Sequence, residues 1–246
     1  MPVITLTSDF GEGSPYVAAM KAALLAACPE AALVDVSHSV RPFDILGGAF
    51  VLWAGTRHFA PGAIHLAVVD PGVGGSRRPV AFELAGSWYV GPDNGLFGLV
   101  LAEATALPRA VELRRPAGAS ATFEGRDVFA PAAGALASGV PLAGLGSHLA
   151  DGLMPLPSRS PCVLWVDNFG NVVTSLKAPA TKLRVNGREV GLTVRTYSDA
   201  PPDTPFVYVG SMGLLEVGVR QSRADEWLGA GPGDAVEAVP QAASAP

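Results

Sequence analysis

Cysteine is nearly missing from this chain: Cys28 and Cys162 are the only two in 246 residues, and they stand in different halves with no pairing motif. That argues against a disulfide framework and against a thiolate zinc site. Histidine is scarce as well. His38, His58, His65 and His148 are scattered, and His65 falls inside an apolar strand pattern, where a satisfied core histidine is a plainer reading than a metal ligand. The expectation is no metal. Positive charge is short, with 17 Lys and Arg against 22 Asp and Glu and a formal net charge of −5. Such a chain lacks the basic face that neutralises phosphates, so no nucleic-acid partner is expected. No apolar run is long enough to span a bilayer, and Met1 leads straight into the strand pattern Val3 to Thr7 without a basic n-region or an apolar h-region. A cytoplasmic protein without a membrane partner is the expectation. A Gly-x-Ser-x-Gly elbow is missing, and the glycine-rich stretch Asp70 to Arg78 lacks the Gly-Lys-Ser/Thr ending of a phosphate loop.

What is present is a hydrophobic content of 49%, ample for a buried core. Over residues 1–150, short apolar runs alternate with helix-period segments: Val3 to Thr7, a helix over Tyr16 to Ala27, Ala32 to Val36, a helix from Asp44 to about Phe59, then Ala63 to Val69, apolar at nearly every position and read as a fully buried strand. This predicts an α/β domain with a central, largely parallel sheet. Further strands are expected at Val80 to Leu84, Trp88 to Val90 and Ala110 to Leu113, and a packed helix over Val128 to Ala137. Residues 151–161 are rich in Pro and Ser and read as a linker. Residues 162–246 carry only short β runs, with Asn186-Gly187 offering a hairpin turn, which predicts a small all-β, barrel-like C-terminal domain. Gln241 to Pro246 are expected to fray.

Acidic and amide residues cluster where these strands end: Asp9 in Ser8-Asp9-Phe10-Gly11, Asp70 in Asp70-Pro71-Gly72, and Asp167 in Asp167-Asn168-Phe169-Gly170-Asn171. Ligands of open α/β sheets bind beyond the carboxyl ends of strands, so these carboxylates are candidates to hold a polar ligand. Each alone has an ordinary reading as turn or cap chemistry.

The strings Thr7-Ser8-Asp9-Phe10-Gly11, Pro15-Tyr16-Val17 and Val69-Asp70-Pro71-Gly72-Val73-Gly74 with Arg77-Arg78 resemble the S-adenosylmethionine (SAM) hydroxide adenosyltransferases, relatives of the fluorinating and chlorinating enzymes. So do Gly91-Pro92-Asp93-Asn94-Gly95-Leu96, Thr122-Phe123-Glu124-Gly125-Arg126-Asp127, Asp167-Asn168-Phe169-Gly170-Asn171 and Ser211-x-Gly213-x-Leu215-Glu216, in family order from about Ile4 to Glu237. The resemblance implies attack of water or hydroxide on C5′ of SAM, giving adenosine and L-methionine with no cofactor. It also implies a homotrimer with sites between subunits. It implies that Asp9 accepts hydrogen bonds from ribose hydroxyls, and that Asp70 and Arg77 belong to an Asp-Arg-His set around the attacking water. It further implies that Asp167, Asn171 and Ser211 contact the ligand, that Phe43 and Phe169 line the adenosine pocket, and that Glu216 and the backbone near Val219 lie by the adenine.

Three positions depart from the family pattern. Glu124 stands where the family places its catalytic histidine, and it could act as a base or be locked in an ion pair with Arg77 or Arg126. Ser14 stands where relatives often carry an aspartate, and Gly210 where an asparagine is usual, which predicts altered recognition of the methionine half. Two readings therefore stay open: a hydrolase using Asp70, Arg77 and Glu124, and a non-catalytic adenosine- or SAM-binding protein. Halide chemistry is disfavoured, because an ionised Asp70 a few ångströms from a halide repels it by about 4 kcal/mol.

Overall fold

The computed structural model describes residues 1–157, 161–179 and 182–240. The chain divides into two compact units, Met1–Pro157 and Ser158–Pro246. The first contains β1 (Val3–Ser8), α1 (Pro15–Ala27), β2 (Ala32–Ser37), α2 (Ile45–Thr56), β3 (Ile64–Val68), β4 (Pro79–Leu84), β5 (Ser87–Pro92), α3 (Gly98–Ala102) and β6 (Arg109–Leu113). A π-helical turn, Gly125–Phe129, then runs into α4 (Ala130–Ala137), and β7 (Gly146–His148) follows.

Seven strands form one sheet in the order β2-β1-β3-β5-β4-β6-β7. The strands β2, β1, β3 and β5 run parallel. The rest is antiparallel, which corrects the expectation of a largely parallel sheet to a mixed one. The cause is local. β4 and β5 are joined by only Ala85 and Gly86, both at positive φ, and a two-residue turn has no room for the crossover that parallel pairing requires.

Alternation along the strands feeds a core on each face. Ile4, Leu6, Leu66 and Val68 pack with Met20 and Leu24 of α1 and Phe129 and Ala133 of the α4 region. Ala67 and Val69 pack with Leu52 of α2, Phe82, Leu96 and Phe97. Ser14 starts α1 by accepting the Tyr16 N–H at 3.3 Å, with Pro15 preset for the first turn. Leu24 is fully buried, so its truncation to Ala would cost about 2–5 kcal/mol.

The first part of the expected linker belongs to this unit. Asp93 is buried, and its carboxylate takes the Met154 N–H at 2.7 Å and Arg78 Nη2 at 2.6 Å. Arg78 in turn reaches Asp151 at 2.6 Å and the Gly152 carbonyl at 2.9 Å. A buried carboxylate needs such donors, and the segment after residue 150 supplies one from its backbone. Residues 158–160 of the expected linker and the expected frayed end, 241–246, lie outside the described residues.

The second unit contains β8 (Val163–Val166), β9 (Val172–Lys177), β10 (Leu183–Val185), β11 (Arg188–Val190), β12 (Pro205–Val209), β13 (Leu214–Val219), α5 (Ala224–Leu228) and β14 (Val236–Ala238). Its strands form two antiparallel sheets, β12-β13-β9-β8 and β11-β10-β14. Single bridges link the two sheets: Cys162 to Ala235, just before β8 and β14, and Thr193, past the end of β11, to Val207 in the middle of β12. The β10–β11 hairpin turns at Asn186-Gly187, both at positive φ as that dipeptide favours.

His65 sits on β3 directly across from Thr5, whose hydroxyl lies 2.9 Å from Nδ1, with Phe59 and Tyr89 edging its ring. Burial pushes its pKa down from 6.5 to about 4. The folded state therefore resists the proton that the unfolded chain takes up. The stability this provides is complete above the unfolded value, and about 3 kcal/mol is lost as pH falls toward the folded one. Thermal unfolding compared at about pH 7 and about pH 4.5 is expected to show a smaller acid-induced drop for His65→Gln than for wild type. Equal drops would contradict this.

Candidate active site

The order β2-β1-β3 means that the chain leaves β1 to one side and returns on the other, a topological switch point where ligands of α/β sheets settle. Parallel register places Thr7 beside Ala67 and Ser8 beside Val68, so Asp9 and Asp70 emerge on adjacent strand ends. There a cleft of about 380 Å³ opens, lined among others by Asp9, Tyr16, Phe43, Asp70, Phe123 and Glu124. Four of the residues singled out from sequence thus share one cleft.

Asp70 is held from behind. Arg77 Nε lies 2.9 Å from its Oδ1 and 3.0 Å from its Oδ2, and Nη2 makes a further short contact to Oδ2. The same Nη2 lies 2.5 Å from Glu124 Oε2. All three side chains are at least nine-tenths buried. Burial alone would lower the Arg77 pKa, but the hydrogen bonds and charges of Asp70 and Glu124 outweigh it and raise it, so the guanidinium stays charged. Glu124 is also gripped by Arg115, whose Nε donates to Oε1 at 2.7 Å. Arg126, the other partner considered from sequence, pairs instead with its neighbour Asp127. The two loops meet because Gly74 carries no side chain: a Cβ there would stand 2.3 Å from the Ala121 carbonyl oxygen.

Asp9 faces the same cleft and accepts the Phe43 N–H at 2.9 Å. Burial raises its pKa, the Phe43 bond works against that, and the charge of Asp70 adds to the rise. Phe43 itself is 72% exposed and adopts φ 68, a left-handed conformation that a bulky residue rarely takes. Phe10, Tyr16 and Phe123 form an edge-to-face cluster with ring centres 5.1–6.1 Å apart. The Asp9 loop is braced from β2: the Gly11 N–H donates to the His38 carbonyl at 2.8 Å, and His38 Nδ1 lies 2.7 Å from Ser8 Oγ. His38 Nε2 lies 3.1 Å from Asp35, which takes Lys21 at 2.6 Å. This Ser-His-Asp order is a strut, since Ser8 is fully buried and out of reach of any substrate.

In the second unit, Asp167 Oδ1 accepts the N–H groups of Phe169 and Asn171 at 2.9 and 2.8 Å, and Oδ2 accepts Asn171 Nδ2 at 2.8 Å. The loop so fixed presents Phe169, 77% exposed. Glu216 is buried and takes a short hydrogen bond from the Tyr208 hydroxyl, which also meets the Tyr197 hydroxyl at 2.5 Å. Burial raises the Glu216 pKa, the Tyr208 bond opposes it, and the charge of Asp167 adds to it. A Cβ at Gly210 would fall 1.8 Å from Glu216 Oε1, so Glu216 and the side-chain-free residue 210 go together. Ser211 is exposed on the turn closed by the Gly213 N–H on the Gly210 carbonyl at 2.9 Å, and the Val219 side chain packs in the core of this unit.

Sequence reasoning missed Arg115, His38, Tyr16 and Phe123 as parts of the site. Tyr16 and Phe123 lay within the recognised strings, but nothing about Arg114-Arg115-Pro116 marks Arg115, whose role exists only once β6 brings it beside Glu124.

The exposed, left-handed Phe43 yields a prediction. Phe43→Gly relieves an unfavourable φ and removes little packing, so its unfolding free energy should stay within about 1 kcal/mol of wild type. Ligand affinity should fall several-fold, as calorimetry would measure. A large loss of stability with affinity intact would show that Phe43 is a structural residue.

Residues 4–146 match the model of the SAM hydroxide adenosyltransferase N-terminal domain, and residues 161–237 match that of the C-terminal domain. A protein of Salinispora arenicola named (R)-S-adenosyl-L-methionine hydrolase is 43% identical over 255 residues, covering 95% of this chain and 96% of its own. A Thermus thermophilus protein of the same name is 43% identical, covering 93% and 96%. A fluorinase of Actinoplanes is 28% identical over 87% of this chain and 89% of its own. A crystal structure of a conserved hypothetical protein from Thermus thermophilus superposes with a TM-score of 0.84 at 42% identity, covering 97% of this chain and 100% of that one. With both family models matched along nearly its whole length and relatives of this identity, the chain belongs to the SAM hydroxide adenosyltransferase family.

Proposed function

We propose that this protein hydrolyses S-adenosyl-L-methionine to adenosine and L-methionine, and that Asp70 directs the attacking water. The observation that carries the reading is a carboxylate fixed by a buried guanidinium at the switch point of the sheet, in a chain 36–43% identical to proteins named as hydrolases of this substrate. Those names specify the (R) epimer at sulfur, and we carry that preference to this chain.

The chemistry asks little beyond alignment. Water attacks C5′, the C5′–S bond breaks, and its electron pair leaves with sulfur as the methionine thioether. The water proton passes to Asp70 and then to solvent. A sulfonium is an excellent leaving group, so no cofactor is needed to activate it. The site's task is to hold the oxygen opposite sulfur and keep other water away. Asp70 can do this because both of its oxygens are already oriented by Arg77. The acidic cleft residues Asp9, Asp70 and Glu124 favour a cationic substrate, and Asp70 disfavours a halide nucleophile. In this reading Glu124 holds Arg77 and is not the base.

Asp9 is assigned to the ribose hydroxyls as an acceptor, and Phe43 to one face of the adenosine. Asp167, Phe169, Asn171, Ser211, Glu216 and the Val219 backbone form the complementary set. We propose that the two sets come from neighbouring subunits of a cytoplasmic homotrimer. The bridged sheets of the second unit are read as its small barrel.

Purified protein incubated with each sulfonium epimer of SAM should release adenosine and L-methionine, faster from the (R) epimer, as followed by chromatography. Asp70→Asn should lower kcat roughly 100-fold or more. Binding of SAM without turnover would make this a SAM-binding protein. Formation of 5′-halo-5′-deoxyadenosine in chloride or fluoride would overturn the choice of nucleophile.

A further inference from the structure

Two buried carboxylates, Asp70 and Glu124, converge on one buried guanidinium, that of Arg77. One cation between two anions leaves an excess negative charge away from water, which is strongly unfavourable, and it lets either carboxylate pull Arg77 from the other. The missing positive charge comes from a different part of the fold. Arg115, two residues past the end of β6, donates through Nε to Glu124 Oε1 at 2.7 Å and through Nη2 to the backbone carbonyl of Arg77 at 3.1 Å. It therefore touches both members of the pair that stands behind Asp70. The other cation of the Glu124 segment, Arg126, is engaged by Asp127 at 2.6 and 2.8 Å and lies over the Phe123 ring, 4.9 Å from its centre.

We propose that Arg115 is a positioning residue for the reaction: by balancing Glu124 and tying down the Arg77 backbone, it keeps the Arg77 guanidinium committed to Asp70. The proposal rests on the hydrolase reading and extends it to a residue outside the cleft lining. Without Arg115, Glu124 Oε1 loses its donor, and the whole of Glu124 competes for Arg77. Asp70 then drifts from the orientation that aims water at C5′, while the surfaces that bind SAM stay as they were. Misplacement of this kind acts on kcat and spares KM.

The test is a double-mutant cycle of wild type, Arg115→Met, Glu124→Gln and the double variant, with Arg115→Lys beside them, each measured for kcat and KM on SAM. Arg115→Met is expected to lower kcat about tenfold or more with KM changed less than about threefold, and Arg115→Lys to recover a large part of the loss. In the Glu124→Gln background, where no second carboxylate competes for Arg77 and only the bond to the Arg77 carbonyl is lost, Arg115→Met is expected to change kcat less than about threefold. Independent, multiplying effects of the two substitutions, or an effect confined to KM, would overturn the proposal. A wild type that never turns over SAM sinks the hydrolase reading instead, and the thermal midpoints of the same four proteins then decide on the pairing. Coupled midpoints sustain the Glu124–Arg115 pairing, and additive ones overturn the proposal.

Discussion

The arrangement depends on one guanidinium. Arg77 reaches out of a glycine-rich loop and holds Asp70 through Nε and Nη2 while its Nη2 also meets Glu124. All of this takes place where water is largely excluded, so each ion is tolerable only because the others are present. The contact fixes the loop after β3 to the segment before the π-helical turn, and it turns the last residue of a buried strand run into an oriented acceptor. Gly74 makes the approach sterically possible and Arg115 balances its charge.

The sheet determines where this contact stands. Because β1 has β2 on one side and β3 on the other, the two adjacent strand ends carrying Asp9 and Asp70 open onto a crevice that no crossover covers. The cleft is consequently acidic at its floor and aromatic at its walls, with Tyr16, Phe43 and Phe123 around Asp9, Asp70 and Glu124. That combination suits a ligand that is flat at one end and cationic in the middle. Phe43 illustrates the cost of such a wall: it is exposed and left-handed, and its N–H is bound by Asp9, so local backbone preference gives way to the shape of the site.

Much of this was legible from residues alone. Short runs rich in apolar residues announced β1 and β3, and the carboxylates that follow them lie in the cleft. Asp44 opened α2 as its N-cap, accepting the Gly47 N–H at 2.8 Å. The mixed sheet was not legible in the same way, because nothing in the nearly continuous buried runs of β4 and β5 tells a hairpin from a crossover except the shortness of Ala85-Gly86. The three-residue strands β7 and β14 were missed because so few positions carry no detectable alternation. Glu124 offered two candidate partners by sequence, Arg77 and Arg126. Arg126 is taken by Asp127, and Arg115 is brought in by sheet pairing, a contact that no local pattern encodes. Residues 151–157 read as linker because they open the stretch 151–161, which is rich in Pro and Ser, yet the need of buried Asp93 for a donor draws Met154 onto the first unit.

The central claim is that an oxygen of water, guided by Asp70, forms the new bond at C5′. Turnover of SAM in heavy-oxygen water, with mass spectrometry of both products, tests this most directly. The account predicts the heavy label on the 5′-oxygen of adenosine and none in methionine; unlabelled adenosine, or label carried by the amino-acid product, would contradict it.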